Sequence, residues 1–271
     1  MKAASGSSTI GFESALVETS ALAVGTGGGS DSVSLADVEW TIRMGDYWVV
    51  GGPPGSGKSD LLATIAGLYR QLRGTLKLFG KDTAALSEEE FLDIRLRIGL
   101  VFENGGRLFH HLTVSENVAL PLRYHHNWSP AEARERTDAL LDATGLTRFA
   151  DARAGQIKAG WRQRVGLARA LALQPEVLLL DNPLAGLGPH EARWWREFLS
   201  RLAEGHALTG NRPVTLVATC HDLRPWADQG KQFALLKQQR WMNIGSREEL
   251  ACSPEPLLRE LLAVDFGPAT I

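Results

Sequence analysis

Four short apolar runs punctuate the chain: "DYWVVGG" (46–52), "RIGLVF" (97–102), "EVLLLD" (176–181) and "VTLVAT" (214–219). Each is continuous rather than alternating, and their lengths and β-branched content suit strands covered on both faces. Segments of helical periodicity separate them, so the pattern predicts an α/β fold with a parallel-sheet core. Residues 108–174 read as wholly helical. Within them "SPAEARERTDALLDATGL" offers Ser129 as N-cap, Pro130 at the first helical position, Glu132 to close a capping box and Gly145 as a stop. Towards the amino end, "GTGGGSDS" (25–32) reads as a turn between two extended stretches. Past residue 230, "FALLKQQRWMNIGS" reads as a hairpin and "PEPLLRELLAV" as a closing helix. The expected organisation is a loose tail at 1–13, one domain at 14–265 and a short tail at 266–271.

Composition narrows the function classes. The 271 residues are 44% hydrophobic and 22% charged, with a formal net charge of −2. No basic excess points to a nucleic-acid partner. No run of about 18 apolar residues marks a membrane span, and the first residues lack a signal-peptide core. Cys220 and Cys252 provide no disulfide framework and suit a reducing compartment. His110, His111, His125 and His126 form two pairs that read as surface residues rather than a metal site.

Chemistry enters at "GPPGSGKS", Gly52 to Ser59, which fits the phosphate loop G-x-x-x-x-G-K-S/T between a predicted strand and a predicted helix. Gly52, Pro53, Pro54, Gly55, Ser56 and Gly57 form the turn whose backbone N–H groups can surround phosphate oxygens. Lys58 supplies a point charge to the outer phosphates, Ser59 a hydroxyl to Mg²⁺, and Asp60 follows in the first helical turn. Asp181, at the tip of another strand, reads as the metal-side carboxylate.

Four more segments give the chain a resemblance to ATPase subunits of ABC transporters. "IGLVFENGGRLFHHLTVSENVALPLR" (98–123) resembles the Q-loop and the start of the helical subdomain. "IKAGWRQRVGLARAL" (157–171) resembles the signature segment, and "VLLLDNPLAGLGP" (177–189) resembles Walker B with the D-loop. "VATCHDL" (217–223) resembles the switch segment, with His221 as the γ-phosphate sensor. Within the family, 98–123 is most similar to ATPases of MCE-associated lipid transporters. The resemblance implies a P-loop NTPase cassette with an N-terminal antiparallel layer and a helical subdomain at about 108–174. It implies ATP and Mg²⁺ as ligands, a second cassette facing this one, and integral-membrane permease subunits docked near 104–127. Lipid cargo, an MCE-domain partner and a place at the cytoplasmic face of the cell membrane follow from the same resemblance.

The chain departs from the family pattern where chemistry is concentrated. Asn182 follows Asp181 where the family has a glutamate that polarises the attacking water, and Glu103 replaces the Q-loop glutamine. A carboxylate and an amide are thus exchanged, which makes Glu103 a candidate metal ligand or base; independent drift in a protein that only binds ATP is the alternative. In the signature segment Lys158 and Ala159 replace a serine and a glycine, and only Gly160 remains. Lys158 is either a phosphate-seeking cation or a solvated surface residue, and Trp161 reads as packing or an interface anchor. Gly188 stands where the D-loop has aspartate. No aromatic occupies the position near Val24 that commonly stacks on adenine; Phe12 is a substitute, and Trp40 reads as core. The expectation is an ATP-binding transport subunit with slow hydrolysis at best. Its rivals are a non-hydrolysing regulatory or structural cassette that uses ATP as dimer glue, and an ABC-type ATPase of DNA repair or translation. The last lacks support in a chain without a coiled-coil insertion or a basic surface.

Overall fold

The computed structural model describes residues 15–27, 32–105 and 107–263. The expected tails, Phe12 and part of the 25–32 turn lie outside them. In chain order the elements are β1 (Ala15–Gly25), β2 (Val33–Arg43), β3 (Tyr47–Gly51), α1 (Lys58–Ile65), β4 (Arg73–Leu78), β5 (Lys81–Asp82), α2 (Glu88–Arg95), β6 (Ile98–Val101), α3 (Val114–His125), α4 (Pro130–Ala143), α5 (Ala159–Ala170), β7 (Val177–Leu180), α6 (Pro189–Glu204), β8 (Thr215–Cys220), β9 (Gln232–Lys237), β10 (Arg240–Ser246), α7 (Arg247–Cys252) and α8 (Pro256–Ala263).

The strands form one sheet in the order β5-β4-β1-β2-β10-β9-β3-β8-β7-β6. The β9–β3–β8–β7–β6 portion is parallel, as the apolar runs predict. β5, β4, β1 and β2 pair antiparallel, and a single parallel bridge, Arg240 to Ala36, joins the two portions. The hairpin read past residue 230 is the β9–β10 pair. β4 and β5 were not read from the sequence: "RGTLKL" is half exposed and carries no continuous apolar run.

Alternation on the central strands divides the core in two. Tyr47, Val49, Leu178, Leu180, Leu216 and Ala218 pack with Trp195, Phe198, Leu199 and Leu202 of α6 and with the apolar faces of α3, α4 and α5. Trp48, Val50, Val177, Leu179 and Val217 turn the other way, onto Leu61, Leu62 and Ile65 of α1 and the inner face of the antiparallel layer. Trp40 sits there, 3% exposed, with its ring centroid 4.5 Å from that of Trp241 and 5.5 Å from that of Trp48. Fully burying each large aliphatic side chain contributes about 1.5–3 kcal/mol, so both faces hold the sheet rigidly.

Between β6 and β7 every regular element is helical. α4 starts as its sequence predicts: Ser129 Oγ accepts from the Glu132 N–H, and the Glu132 carboxylate accepts from the Ser129 N–H at 2.7 Å. α3 uses the same device, with Thr113 and Glu116. Register places the carboxyl ends of β3, β8, β7 and β6 side by side: Gly51 pairs with Cys220, Ala218 with Leu180, and Leu180 with Val101. The residues just beyond those ends therefore share one crevice, the usual ligand position in a parallel sheet.

Candidate functional site

Three connections leave those strand ends and meet. After β3 the chain turns through 52–57 into α1. Gly57 is the N-cap, at φ 91°, and a Cβ there would stand 3.1 Å from the Ser34 carbonyl oxygen, so only glycine fits. No side chain caps α1, which leaves the helix N-terminus facing the loop. Lys58 is only 5% exposed and folds back over the turn. Its Nζ donates to Gly52 O at 2.7 Å, Pro53 O at 2.8 Å and Ser56 Oγ at 3.0 Å. Burial pushes the Lys58 pKa down to about 8, against the opposing pull of Cys220, Asp181 and Glu103. The ammonium is thus held beside an array of loop atoms and carboxylates, with no carboxylate bonded to it. Pro53, Pro54, Gly55 and Ser59 are exposed along the rim, and Ser56 and Gly57 are buried.

β7 delivers Asp181 and Asn182, both 7% exposed. Thr219 at the end of β8 organises the two: its hydroxyl donates to Asp181 Oδ1 at 2.9 Å and accepts from the Asn182 N–H at 3.0 Å. Sequence reasoning missed Thr219. The one available signal is a hydroxyl at the carboxyl end of the "TLVATC" strand, two residues before His221. Asn182 has φ 43°, a left-handed conformation that asparagine tolerates better than most residues. Its side-chain Nδ2 donates to Glu103 Oε1 at 3.1 Å, which brings together the two exchanged residues, 79 positions apart. Glu103 starts a 3-10 turn after β6. That turn lies hard against α5: a Cβ on Gly105 would fall 2.4 Å from the Arg162 carbonyl carbon.

His221 completes the crevice. Its Nδ1 lies 3.1 Å from Gly52 O, and since a carbonyl only accepts, Nδ1 carries the hydrogen and Nε2 remains free to face a ligand. Neighbouring Cys220 is buried, and burial pushes its thiol pKa far up.

The remaining sequence candidates lie elsewhere or are otherwise engaged. The Asp60 carboxylate accepts from the Gly27 N–H at 3.1 Å, which ties α1 to the turn after β1 and makes that side chain a brace. Lys158 is exposed, as the N-cap of α5, without a side-chain capping bond. Gly160 is half-buried near Leu187. Among the described residues no hydrogen bond or ion pair joins either one to the phosphate loop of the same chain. Trp161 packs inward, its ring 5.0 Å from that of Phe149 and 4.6 Å from the Arg164 guanidinium. That guanidinium, 6% exposed, also lies 3.6 Å from the Trp194 ring of α6, and burial pushes its pKa down to about 10.

The donor set suits a magnesium–phosphate ligand. No group of three or more His, Cys, Asp or Glu side chains among the described residues could hold a metal on its own. Mg²⁺ in nucleotide sites takes one or two protein oxygens and completes its shell with phosphate and water. Asp181, with Oδ1 fixed by Thr219 and Oδ2 without a hydrogen-bond partner among the described residues, and the exposed Ser59 hydroxyl fit that demand.

A strand, a glycine-capped phosphate loop with its lysine, and a carboxylate at the end of the parallel strand two places away define a P-loop nucleotide-binding protein. Comparison with known proteins gives the family: the model described as ABC transporter matches residues 35–185, and the chain belongs to that family. It is 38% identical over 225 residues to a sulfate/thiosulfate import ATP-binding protein, CysA, of Mycolicibacterium paratuberculosis, which covers 83% of this chain and 58% of that protein. It is 33% identical over 226 residues to a probable ribonucleotide transport ATP-binding protein, mkl, of Mycobacterium tuberculosis, which covers 83% of this chain and 61% of that one. The chain therefore spans about three fifths of the length of these curated relatives. Among solved structures it is similar to the ATP-binding cassette MJ0796, a dimer in a post-hydrolysis state bound to ADP and Pi. The TM-score is 0.73 at 30% identity, over 84% of this chain and 98% of that one.

Proposed function

We propose that this chain is the ATP-binding subunit of a membrane transport complex, converting ATP binding and slow hydrolysis into movement of integral-membrane permease partners. The observation that carries the reading is the buried Lys58 ammonium, held by three loop oxygens in the crevice that Asp181 and His221 enter from neighbouring strands. Gly52, Pro53, Pro54, Gly55, Ser56, Gly57, Lys58 and Ser59 would hold the phosphates, and Ser59 and Asp181 the Mg²⁺. His221 Nε2 would contact the terminal phosphate. The metal would neutralise phosphate charge. The chain's own part is to position the phosphates, fix Asp181 through Thr219 and screen the lysine from water.

A second cassette is part of the proposal. Among the described residues no hydrogen bond or ion pair joins Lys158 or Gly160 at the start of α5 to the phosphate loop of the same chain, and the similar cassette MJ0796 is described as a dimer. Permease subunits would dock on the groove lined by Leu68 and Leu92 from one side and by Phe102, Pro121 and His125 from the other. Leu92 is 42% exposed there. No helix among the described residues is long and apolar enough to cross a membrane, so the proposed place at the inner membrane face depends on those partners. The segment 98–123 supports lipid as cargo and an MCE-domain protein as a further partner. The relatives' own names refer to sulfate/thiosulfate and ribonucleotide transport. Calorimetry with Mg-ATP tests the core of the proposal: the full chain should bind, and equal binding by Lys58→Ala would overturn it.

A further inference from the structure

The crevice holds two carboxylates in different circumstances. Asp181 is committed on one side, its Oδ1 accepting from Thr219. Glu103 reaches the same space from β6, close enough that both carboxylates act on the Lys58 charge. One Glu103 oxygen accepts from Asn182 Nδ2 at 3.1 Å, and its Oε2 has no hydrogen-bond partner among the described residues. The donor is itself immobilised: Asn182 is 7% exposed, its N–H is bonded to Thr219 and its φ is 43°. The backbone that carries Glu103 is fixed by the contact of Gly105 with α5. A carboxylate with one oxygen pinned and the other free, beside a phosphate-loop lysine, is placed as a water-orienting group is.

The amide at 182 is what permits this. A second carboxylate at hydrogen-bond distance from Glu103 would force the pair to share a proton and remove the free base. An amide adds no charge and donates its N–H to Glu103 Oε1, which fixes that oxygen and leaves Oε2 open.

Resting on the ATP-binding reading above, we propose that Glu103 orients and deprotonates the water that attacks the terminal phosphate, and that Asn182 is its positioning residue. The water oxygen bonds to the γ-phosphorus, and the bond from that phosphorus to the β,γ-bridging oxygen breaks. The water proton passes to Glu103 Oε2 and then to solvent, and ADP leaves with the electron pair of the broken bond.

The test uses the full chain with Mg-ATP, measuring affinity by calorimetry and phosphate release across pH. Glu103→Gln should lower turnover about 100-fold or more, the range of general-base loss. Its ATP affinity should stay within about threefold of wild type, since only the chemical step is touched. The exchanged double variant Glu103→Gln/Asn182→Glu should recover at least about tenfold over Glu103→Gln, because it restores the pair with its polarity reversed. Asn182→Leu removes the donor that holds Glu103, so turnover should fall about tenfold or more while ATP affinity stays within about threefold of wild type, a split that loss of fold does not produce. The proposal is overturned if Glu103→Gln turns over ATP within about threefold of wild type. It is equally overturned if wild type binds ATP but releases phosphate no faster than Lys58→Ala; ATP then acts as dimer glue. Failure of wild type to bind ATP at all would instead overturn the reading on which this one rests.

Discussion

The amino ends of α1 and α5 both lack a side-chain cap, whereas α2, α3, α4 and α7 each carry a capping box. α6 also starts without a side-chain cap, and the α1 and α5 ends are built from opposite materials. Around α1, buried polar groups converge: Lys58 on three loop oxygens, Thr219 on Asp181, His221 on Gly52. Around α5, Lys158 and Ala159 are exposed, and what lies behind them is aromatic packing: Phe149, Trp161, Arg164, Trp194. Buried polar groups are costly unless they are satisfied, so an array like that at α1 is kept for a ligand. The α5 end has no such array. It is an aromatic-backed surface whose helix starts without a side-chain cap, which suits the second cassette proposed above.

The largest expected effect breaks the α1 side of the comparison. Lys58→Ala removes the one ammonium in the loop and should weaken Mg-ATP binding by about 100-fold or more, given that hydrogen bonds to charged groups are worth about 1.5–3 kcal/mol each. Calorimetry reads this directly. Stability should not fall with it, because an ammonium held in a dry site costs desolvation.

On the α5 side the expected loss is of stability. Trp194 stacks on Phe198 at 5.0 Å and on Arg164 at 3.6 Å. Trp194→Ala should cost about 2–4 kcal/mol, somewhat under the value for a fully buried aromatic, because Trp194 is only partly buried. Lys158→Ala, at an exposed position, should change stability by less than about 0.5 kcal/mol. Urea denaturation of the two variants checks the contrast. Equal stabilities would mean that the α5 platform is not held by its aromatic stack.

Thr219→Val is smaller and sharpens the α1 side. It keeps the shape but leaves the buried Asn182 N–H without its acceptor and Asp181 Oδ1 without its donor. The expected cost is about 1–3 kcal/mol in urea denaturation. Preference for Mg-ATP over metal-free ATP should also drop, because Asp181 is no longer held in place.

What the sequence made legible follows the same division. The phosphate loop could be read because its chemistry is local: the turn, Lys58 and Ser59 are consecutive, and the apolar runs before them and before Asp181 announce buried parallel strands. The Ser129–Glu132 capping box was legible for the same reason. Glu103 and Asn182 were legible only as two departures from a family pattern, and their hydrogen bond required the β6–β7 register. The Arg164 stack was not legible. It joins helices 30 residues apart through a cation and an aromatic, and neither shows in a hydrophobic pattern. Asp60 was read as a ligand-side residue from its place beside Ser59, and the bond that its carboxylate accepts from the Gly27 N–H could not be read from the sequence.

The smallest effect separates ligand binding from folding by pH. Burial pushes Lys58 down to about 8 from its ordinary value of 10.5 in the empty protein. Bound phosphate, fully ionised above pH 8, favours the ammonium form. Above pH 8, then, the empty site increasingly holds a neutral amine, and nucleotide binding must take up a proton. Affinity should fall by up to about tenfold per pH unit beyond 8, levelling off where the bound form itself loses its proton. Stability of the empty chain should carry the opposite sign from this residue. Between about 8 and 10.5 the unfolded chain binds more protons at Lys58 than the folded one, so the folded state gains as pH rises through that window. Below 8 both states are protonated, and the desolvation penalty is present in full. Lys58→Met should abolish both slopes. Calorimetry at pH 9 in buffers of different ionisation enthalpy counts the protons taken up with ATP. A count of zero, or a stability curve that rises no more between pH 8 and 10 in wild type than in Lys58→Met, would mean that the lysine is solvated and that the α1 end is not the dry, polar array described above.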